Sequence, residues 1–453
     1  MKVLLLHPHP AGPNRISTPI GMGCVGALLK REGHEVRVLD ELLPDTPTFG
    51  SVLRDFSPDV VGISCLSAEY LTTKARAKEV KDYRNIPVVV GGVHPSILPK
   101  YTLEDCKDID YAIKGEGEYS FRDLLKSGSP VNIPGVFYRT STGIEGINPT
   151  CYIENLDDIP SCWEVMDPIA YISNRPSGMV TRHREIANLL TSRGCPYGCT
   201  FCCASVVQGK KVRERSIKVV VDEVEYLLGK GIKELQIVDD NFTFNTEHVV
   251  GFCDEIKRRG LKFDWTCPNG IRADRLNKEV LTKMKDAGCY YFSVGVEVGS
   301  QRMMKEICKS LSLDKVKDTI TIADKMGFIT QGFFMLGFPT ETREEMEETV
   351  RVACNLRLDR ASVNMVMFLP GSKLFNSKFS EKDLNDLSWN ELSCVKTWKP
   401  IPGVPDYTTV KKAIRHMRRK FYLNPVRAIR HISKVRTFHQ AMSMVRGLRE
   451  VSS

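Results

Sequence analysis

The stretch Ile186-Ala-Asn-Leu-Leu-Thr-Ser-Arg-Gly-Cys-Pro-Tyr-Gly-Cys-Thr-Phe-Cys202 decides the fold: a short apolar run ends at a glycine and enters a cysteine-rich loop. Its cysteines, Cys195, Cys199 and Cys202, have the spacing C-x3-C-x2-C. Three thiolates on one loop can hold three irons of a cubane [4Fe–4S] cluster, which usually takes four cysteine ligands. The fourth iron is then open to a small molecule, which indicates catalysis rather than plain electron transfer.

Two simpler interpretations of these cysteines stay open. A structural zinc site also uses thiolates, but it takes four ligands, typically as paired C-x2-4-C modules. Cys203 could add a thiolate, although its adjacency to Cys202 strains a tetrahedron, and the sequence has no second C-x2-C pair. Free cysteines are also commonly buried as small apolar side chains. That role suits Cys253, Cys289 and Cys354, which stand in apolar or helical runs.

The cysteine loop resembles the signature of the radical S-adenosylmethionine (SAM) superfamily, C-x3-C-x-aromatic-C, with Phe201 as the aromatic residue. The resemblance implies that Cys195, Cys199 and Cys202 are the metal ligands and that the open iron binds the amino and carboxylate groups of SAM. It also implies that one electron from the cluster cleaves SAM to a 5′-deoxyadenosyl radical, which abstracts hydrogen from the substrate.

Length and composition indicate a protein of two or three domains in a reducing compartment. The chain has 453 residues, of which 42% are hydrophobic, and 15 are cysteines. The amino-terminal apolar run is too short for a signal peptide, and no run approaches the roughly 18 residues of a membrane span. We therefore expect a cytoplasmic protein that is soluble, or peripheral at the inner membrane face.

Residues 1–139 predict an α/β domain with a parallel, doubly wound (Rossmann-like) sheet, because apolar strands alternate with helical stretches. The expected strands are Lys2–His7, Glu35–Asp40, Val60–Cys65, Pro87–Gly92 and Tyr111–Lys114. The expected helices are Gly21–Arg31, Glu69–Tyr83 and Tyr119–Lys126. Ligands bind outside the carboxyl ends of such strands, so this is where we expect a cofactor.

Three polar, glycine-rich segments follow these strands: Ser64-Cys-Leu66, Gly91-Gly-Val93 and Gly115-Glu-Gly117. Glycine permits the close backbone approach that a flat macrocycle needs, although Gly91-Gly92 could equally be a strand-ending turn. The S-x-L and G-G pattern resembles the cobalamin-binding domain of class B radical SAM enzymes. The resemblance implies that cobalamin contacts Ser64, Leu66, Gly91, Gly92, Val93, Gly115, Glu116 and Gly117.

Many cobalamin domains also carry D-x-H-x-x-G, whose histidine ligates cobalt. The nearest match here is His7-x-His9-x-x-Gly12, with histidine in place of aspartate. A ligating histidine needs an acceptor on its other ring nitrogen, which a neighbouring histidine supplies poorly. Whether His9 ligates cobalt stays open, and we expect both histidines to be surface turn residues.

Residues 140–185 have little periodicity and predict a linker. Residues 186–400 alternate again and predict a partial (β/α)6 barrel, whose site lies at the carboxyl ends of the strands. Expected strands end near Ser192, Asp239, Thr266, Val298, Gly337 and Leu369. Expected helices are Val219–Leu228, Val249–Arg259, Lys278–Ala287, Lys315–Met326 and Arg343–Leu356.

Two strand ends carry candidate cofactor contacts. Asp239, Asp240 and Asn241 end the second strand, and a carboxylate beside an ammonium group forms a charge-assisted pair. Glu297 ends an otherwise apolar strand in Ser293-Val-Gly-Val-Glu-Val-Gly-Ser300. The family resemblance implies that the first group meets the amino group of SAM and that Glu297 contacts its ribose; polar strand-end turns are the simpler alternative.

Residues 401–453 predict a basic helical extension. From Tyr407 to Ser453 the chain has 12 Lys or Arg and one acidic residue, Glu450, against a net charge of +9 for the whole protein. The segment Arg418–Pro425 resembles the carboxyl-terminal stretch of the anaerobic porphyrin cyclase and hopanoid-biosynthesis branch. Adhesion to an anionic membrane would follow; a helix packed on the barrel, or one that binds RNA, are the alternatives.

The combined motifs predict a cobalamin-dependent radical SAM methyltransferase that acts on an unactivated carbon of a small or lipid-like metabolite. The expected cofactors are a [4Fe–4S] cluster, SAM and cobalamin, with a flavodoxin or ferredoxin as reductant. The alternative is an oxidative cyclase with the same machinery, and a non-catalytic cobalamin or redox carrier is a further one. An RNA-modifying methylthiotransferase needs a second three-cysteine cluster, yet the first 64 residues hold only Cys24; nucleic acid is not an expected partner.

Overall fold

The computed structural model describes residues 1–9, 18–147, 152–172, 181–386, 389 and 401–442. The chain forms two compact units. The first, here the N-terminal unit, comprises Met1–Tyr171, Cys203–Arg213 and Leu369–Ser393. The second, here the barrel unit, comprises Ile172–Cys202, Glu214–Phe368 and Cys394–Ser453.

The strands, numbered in chain order, fall into an N-terminal and a barrel set. The N-terminal set is β1 (Lys2–His7), β2 (Glu35–Asp40), β3 (Val60–Ser64), β4 (Val88–Gly91), β5 (Tyr111–Ile113), β6 (Val136–Thr140) and β7 (Gly143–Gly146). The strands that follow are β8 (Ile186–Leu189), β9 (Ser192–Arg193), β10 (Arg213–Glu214), β11 (Glu234–Ile237), β12 (Asp264–Ile271), β13 (Cys289–Glu297), β14 (Ile329–Leu336) and β15 (Arg360–Met365).

Helices alternate with these strands through most of the chain. Those up to β7 are α1 (Ile20–Arg31), α2 (Phe49–Phe56), α3 (Tyr70–Tyr83), α4 (Val93–Ile97), α5 (Pro99–Asp105) and α6 (Gly117–Ser127). The later ones are α7 (Ala204–Val207), α8 (Ile217–Gly229), α9 (Thr246–Arg258), α10 (Lys278–Asp286), α11 (Gln301–Glu306), α12 (Leu313–Lys325), α13 (Arg343–Asn355), α14 (Lys373–Asn376), α15 (Tyr407–Tyr422) and α16 (Pro425–Ser433).

The N-terminal unit contains a seven-stranded sheet with the order β2-β1-β3-β4-β5-β6-β7. Strands β1 to β5 are parallel, as the alternating pattern predicts, and their apolar faces form a buried core that includes Val3, Leu5 and Val89. Strands β6 and β7 add an antiparallel edge, which sequence analysis missed because their turn chemistry looks like a linker. The doubly wound parallel architecture is confirmed.

The barrel unit contains six parallel strands in the order β15-β14-β13-β12-β11-β8, so spatial neighbours follow the chain. This is the predicted partial barrel of six strands with intervening helices. The helix starts are set locally: at α13, Glu345 N–H donates to Thr342 Oγ1 over 3.3 Å, and Thr342 N–H donates to Glu345 Oε2 over 3.0 Å. The two residues stand three apart in the sequence, which is the spacing of a capping box.

In the predicted linker, the described residues form β7 and three short 3₁₀ turns at Leu156–Asp158, Cys162–Glu164 and Pro168–Tyr171. Side-chain caps set these turns, since Asn155 accepts from Asp157 N–H and Ser161 accepts from Trp163 N–H, each over 3.3 Å. None of the helices in the described part of the chain is long and apolar enough to cross a membrane.

Candidate active site

The three-cysteine loop follows β8 and β9 in the barrel unit. Cys195 and Cys199 are half-buried and Cys202 is exposed. A tight turn holds the loop together, because Cys202 N–H donates to Cys199 O over 3.2 Å, and Thr200 N–H donates to Ile307 O over 3.0 Å. The Phe201 ring packs 5.8 Å from the ring of Phe338, which fixes the loop against the end of β14.

The requirements of a single metal ion and of a cluster differ. Among the described residues, no three His, Cys, Asp or Glu side chains converge closely enough to hold one metal ion, as a structural zinc site requires. A cubane differs because each thiolate binds a separate iron, so the sulfurs stay apart. Burial raises the pKa of the Cys195 and Cys199 thiols, and metal coordination deprotonates such thiols outright.

A buried ion pair lies next to Cys199. Lys309 Nζ donates to Glu297 Oε1 over 2.9 Å, and both side chains are 11% exposed. Gly295 makes room for this pair, since a Cβ there would lie 2.5 Å from Glu297 Oε1 and 2.9 Å from Lys309 Nζ. The Lys309 ammonium lowers the pKa of Cys199 against the larger effect of burial. Lys309 therefore brings a positive charge to the thiol loop, and the paired Glu297 carboxylate offsets part of its effect on Cys199.

Sequence analysis missed Lys309, because nothing in the run Cys308-Lys-Ser310 marks it as a site residue. It identified Glu297 but not its partner. Glu297 has a φ of 70°, which is rare for a residue other than glycine. Such strain at the end of an apolar strand is typical of functional positions. One carboxylate oxygen of Glu297 accepts a hydrogen bond from Lys309, and the sequence could not reveal this contact.

Asp239 is committed to the protein itself. Its carboxylate accepts hydrogen bonds from Thr191 N–H (2.7 Å), Thr191 Oγ1 (2.6 Å) and Ser192 Oγ (2.6 Å), and the residue is 3% exposed. Burial raises the pKa of Asp239 to about 6, although the bonds from Ser192 and Thr191 oppose it. Asp239 thus ties β11 to the start of the cysteine loop.

The neighbouring Asp240 and Asn241 leave polar atoms without a protein partner. Asp240 Oδ2 and both polar side-chain atoms of Asn241 are buried and make no hydrogen bond in the structure. Asp240 also lies beside Cys195 and accepts from Gly194 N–H, while burial raises the pKa of its carboxyl. Buried polar groups without partners are rare in native proteins, so these atoms are candidates for contact with a ligand or a water molecule.

On β14, one polar side chain bonds to the neighbouring strand. Gln331 Oε1 accepts from Tyr291 OH over 2.9 Å, which links β13 and β14. Met335 is half-buried on the same strand.

In the N-terminal unit, the ends of β3 and β4 lie side by side, with Ser64 in register with Gly91. The two glycines there differ. Gly92 has a φ of 101°, and a Cβ at this position would lie 3.0 Å from Cys65 O, so the backbone itself requires glycine. A Cβ at Gly91 would meet nothing within 4 Å. The space above Gly91 is therefore open to a ligand, while Gly92 has a structural role.

Ser96 connects the loop that follows β5, at Gly115, to the loop that follows β4, at Gly92. Its Oγ donates to Gly92 O over 2.5 Å and accepts from Gly115 N–H over 2.9 Å. Leu66 is 45% exposed, and Ser64, Val93, Gly115 and Gly117 are half-buried, so the face at these strand ends is accessible. Ser96 was not recognised from the sequence, because a lone serine on a short helix carries no signal.

Glu116 has a buried partner. Its Oε2 accepts from Ile153 N–H over 2.6 Å and from Arg213 Nη1 over 2.7 Å. The side chains of Arg213 and Glu116 are 2% and 5% exposed. This carboxylate therefore fixes the start of α6 to later parts of the N-terminal unit.

The two amino-terminal histidines differ in environment. The prediction that His7 is a surface turn residue is wrong: it ends β1, is 6% exposed, and its Nδ1 lies 3.0 Å from Asp40 Oδ1. Despite burial, Asp40 and Glu69 raise the pKa of His7 to about 9. His9 is exposed, and its backbone N–H donates to Glu41 Oε2 over 3.0 Å. Gly12 lies outside the described residues.

Comparison with known proteins bears on both units. The Radical SAM superfamily model matches residues 189–353, and the B12 binding domain model matches residues 14–125. An uncharacterized methyltransferase of Pyrococcus horikoshii is 31% identical over 450 residues, which cover 95% of each chain. The chain belongs to the radical SAM proteins that carry a B12-binding domain.

Other relatives of this B12-binding radical SAM enzyme have different named activities. The cytidylyl-2-hydroxyethylphosphonate methyltransferase of Streptomyces wedmorensis is 29% identical, over 82% of this chain and 80% of its own. An anaerobic magnesium-protoporphyrin IX monomethyl ester cyclase of Cereibacter sphaeroides is 25% identical, over 86% of this chain and 65% of its own.

The fold also matches a solved structure. The radical SAM methyltransferase TsrM of Kitasatospora setae, solved with cobalamin and a [4Fe–4S] cluster, has a TM-score of 0.70 at 20% identity, over 83% of this chain and 77% of its own. The likeness confirms the two-domain α/β architecture.

The family uses a [4Fe–4S] cluster, SAM and cobalamin, and the described residues fit all three. Three accessible thiols follow a barrel strand, as a cluster with one open iron requires. The unpartnered atoms of Asp240 and Asn241 suit a polar ligand such as SAM. The open space above Gly91 suits a flat macrocycle.

Proposed function

We propose that this enzyme transfers a methyl group from SAM, by way of cobalamin, to an unactivated carbon of a small or lipid-like metabolite. One combination of features carries the proposal: a single chain has a three-thiol loop beside a buried Lys309–Glu297 pair and a cradle for a flat ring at Gly91. The names of the methyltransferase relatives agree with it.

The residues divide the work between binding and positioning. When bound, the cluster supplies the electron that cleaves SAM, and cobalamin carries the methyl group. Cys195, Cys199 and Cys202 would hold the cluster, and the Lys309 ammonium would offset part of the negative charge of the thiolates. Asp240 and Asn241 would accept and donate hydrogen bonds to SAM, in place of Asp239, whose carboxylate already has three donors.

The carboxylate of Glu297 would contact the ribose of SAM, and its ion pair with Lys309 would hold it in place. In the N-terminal unit, Ser64, Leu66, Gly91, Gly92, Val93, Gly115, Glu116 and Gly117 would form or support the cobalamin face. Of these, Gly92 and Glu116 would act by shaping the loops, since one has a left-handed backbone and the other has a buried partner.

An oxidative cyclase is the second candidate, since a relative at 25% identity is named as the anaerobic magnesium-protoporphyrin cyclase. The same residues would serve, and only the fate of the substrate would differ. A cytoplasmic location and a flavodoxin or ferredoxin reductant complete the proposal.

The ligand role of the three cysteines can be tested by replacement. We expect the Cys195→Ala, Cys199→Ala, Cys202→Ala variant, after anaerobic reconstitution with iron and sulfide, to lose its iron and its formation of 5′-deoxyadenosine from SAM. Corrinoid retention should persist, because the cradle lies in other residues. Cys203→Ala is the matched control, since its thiol is buried and donates to Pro370 O over 3.3 Å. Undiminished SAM cleavage by the triple variant would show that these cysteines are not the cluster ligands.

The methyl label separates the two candidate reactions. Reconstituted enzyme receives SAM with a deuterated methyl group, a low-potential reductant and a metabolite extract, and products are analysed by mass spectrometry. A product that gains the labelled methyl group supports transfer. A product that loses hydrogen without gaining label supports the cyclase instead.

A further inference from the structure

The most exposed apolar side chains of the described residues cluster near the carboxyl end. Leu423, Val426, Ile429, Ile432 and Phe438 are 78%, 72%, 70%, 63% and 82% exposed. Other large apolar side chains that are exposed elsewhere reach at most 55%. Exposed apolar side chains that are concentrated in one stretch of chain, rather than scattered singly, indicate an interaction site.

Helix α16 is amphipathic, but its apolar face is exposed and its charged face is buried. Val426, Ile429 and Ile432 recur every three residues on one face and point to solvent. The opposite face carries Arg427 and His431, which are 6% and 9% exposed. A surface helix normally buries its apolar stripe and exposes its charges, so this helix is oriented for contact with something other than water.

Specific bonds hold that orientation. Arg427 Nε donates to Leu358 O over 3.0 Å, and its Nη2 donates to Cys354 O over 2.8 Å. Just beyond the helix, Lys434 Nζ lies 2.7 Å from Asp324 Oδ1 and 2.9 Å from Asp359 Oδ2. Rolling the helix to bury its apolar face would break these buried contacts, so the outward apolar face is a fixed feature of the barrel unit.

We infer that the face formed by Leu423, Val426, Ile429 and Ile432, here the α16 face, docks on an anionic lipid surface. Charge decides between the candidate occupants. From Tyr407 to Met442 the chain has ten Lys or Arg and no Asp or Glu, and the exposed cations Arg419, Lys420 and Arg436 stand just before and after α16 in the chain. A second copy would bring like charges together, whereas anionic headgroups attract each cation and acyl chains accept the aliphatic side chains.

Vesicle flotation tests the inference on the full-length protein. We expect binding to vesicles of phosphatidylcholine with phosphatidylglycerol, and much less to phosphatidylcholine alone. Val426→Ser, Ile429→Ser, Ile432→Ser together should lower the partition coefficient roughly 100-fold, because three aliphatic side chains no longer enter the membrane. Arg419→Gln with Lys420→Gln should weaken binding by about fivefold per cation and reduce its salt dependence.

The matched control is Val131→Ser, Ile169→Ser, Tyr226→Ser, which changes three apolar side chains of 55%, 43% and 43% exposure outside this region and should bind like the wild type. Unfolding midpoints check that each variant folds. Wild-type protein that ignores anionic vesicles overturns the inference. A triple α16 variant that binds vesicles as well as the wild type also overturns it. If the wild type is a dimer that never binds vesicles and the triple variant is a monomer, the face belongs to contact with a second copy.

Discussion

At the scale of single residues, the adjacent Gly91 and Gly92 differ in whether the folded backbone requires glycine. Gly92 has a φ of 101° and would place a Cβ 3.0 Å from Cys65 O, so folding requires it. Gly91 has no neighbour within 4 Å of an added Cβ, so the folded protein tolerates a side chain there. The fold itself therefore does not require glycine at position 91, and the space beside its backbone is free for a ligand.

This contrast predicts opposite effects of two substitutions. Gly92→Ala should lower the free energy of unfolding by about 1–3 kcal/mol, because an L-residue is strained at this φ. Gly91→Val should leave the unfolding free energy near that of the wild type but abolish corrinoid retention, measured by absorbance after reconstitution with hydroxocobalamin. A Gly91→Val protein that retains cobalamin normally would remove Gly91 from the cradle.

At the scale of elements, the start of α6 depends on one buried ion pair. Glu116 precedes α6 and binds Arg213 and the backbone of Ile153, so three segments distant in sequence meet at one carboxylate. Removing one partner of a buried pair leaves the other charge without compensation, which costs more than the pair contributes.

We predict that Arg213→Met lowers the free energy of unfolding by about 3 kcal/mol, as measured by denaturant titration. Adding Glu116→Gln should restore part of this loss, because the uncompensated carboxylate is then gone. Equal stability of the single and double variants would show that the charge of Glu116 is not what matters.

At the scale of the whole molecule, stability at acidic pH depends on the charged network that anchors the carboxyl-terminal helices. Burial alone would raise the pKa of Asp324, but the bonds from Lys434 and Arg357 outweigh it and hold that pKa below its usual value. The ionised form therefore stabilises the fold above the unfolded pKa of about 3.9, and this contribution is lost as pH falls through the lower folded value.

Asp324→Asn should accordingly cost about 2 kcal/mol of unfolding free energy at neutral pH, since it removes charged hydrogen bonds. The difference from the wild type should shrink as the pH is lowered below about 4. Urea titrations across this pH range measure it. A difference that stays constant with pH would mean that Asp324 acts through packing alone.

The sequence alone predicted the architecture, because strand and helix periodicities are local. It anticipated β1 and β2 to the residue and the six barrel strands, although β12 ends at Ile271 rather than near Thr266 and β15 at Met365 rather than near Leu369. It predicted the cofactors through the cysteine loop and the glycine-rich strand ends, where a local pattern matches a family. The domain boundaries near residues 139, 185 and 400 stay predictions.

What the sequence could not provide are the contacts between distant segments. The sequence did not reveal that Asp239 bonds to Thr191 and Ser192, or that Lys309 pairs with Glu297 at the end of β13. The basic tail was predicted to be helical, but only the tertiary structure decided that α16 turns its charged face inward. The reason is that burial and pairing depend on residues far apart in the chain, whereas periodicity and motif spacing depend on neighbours.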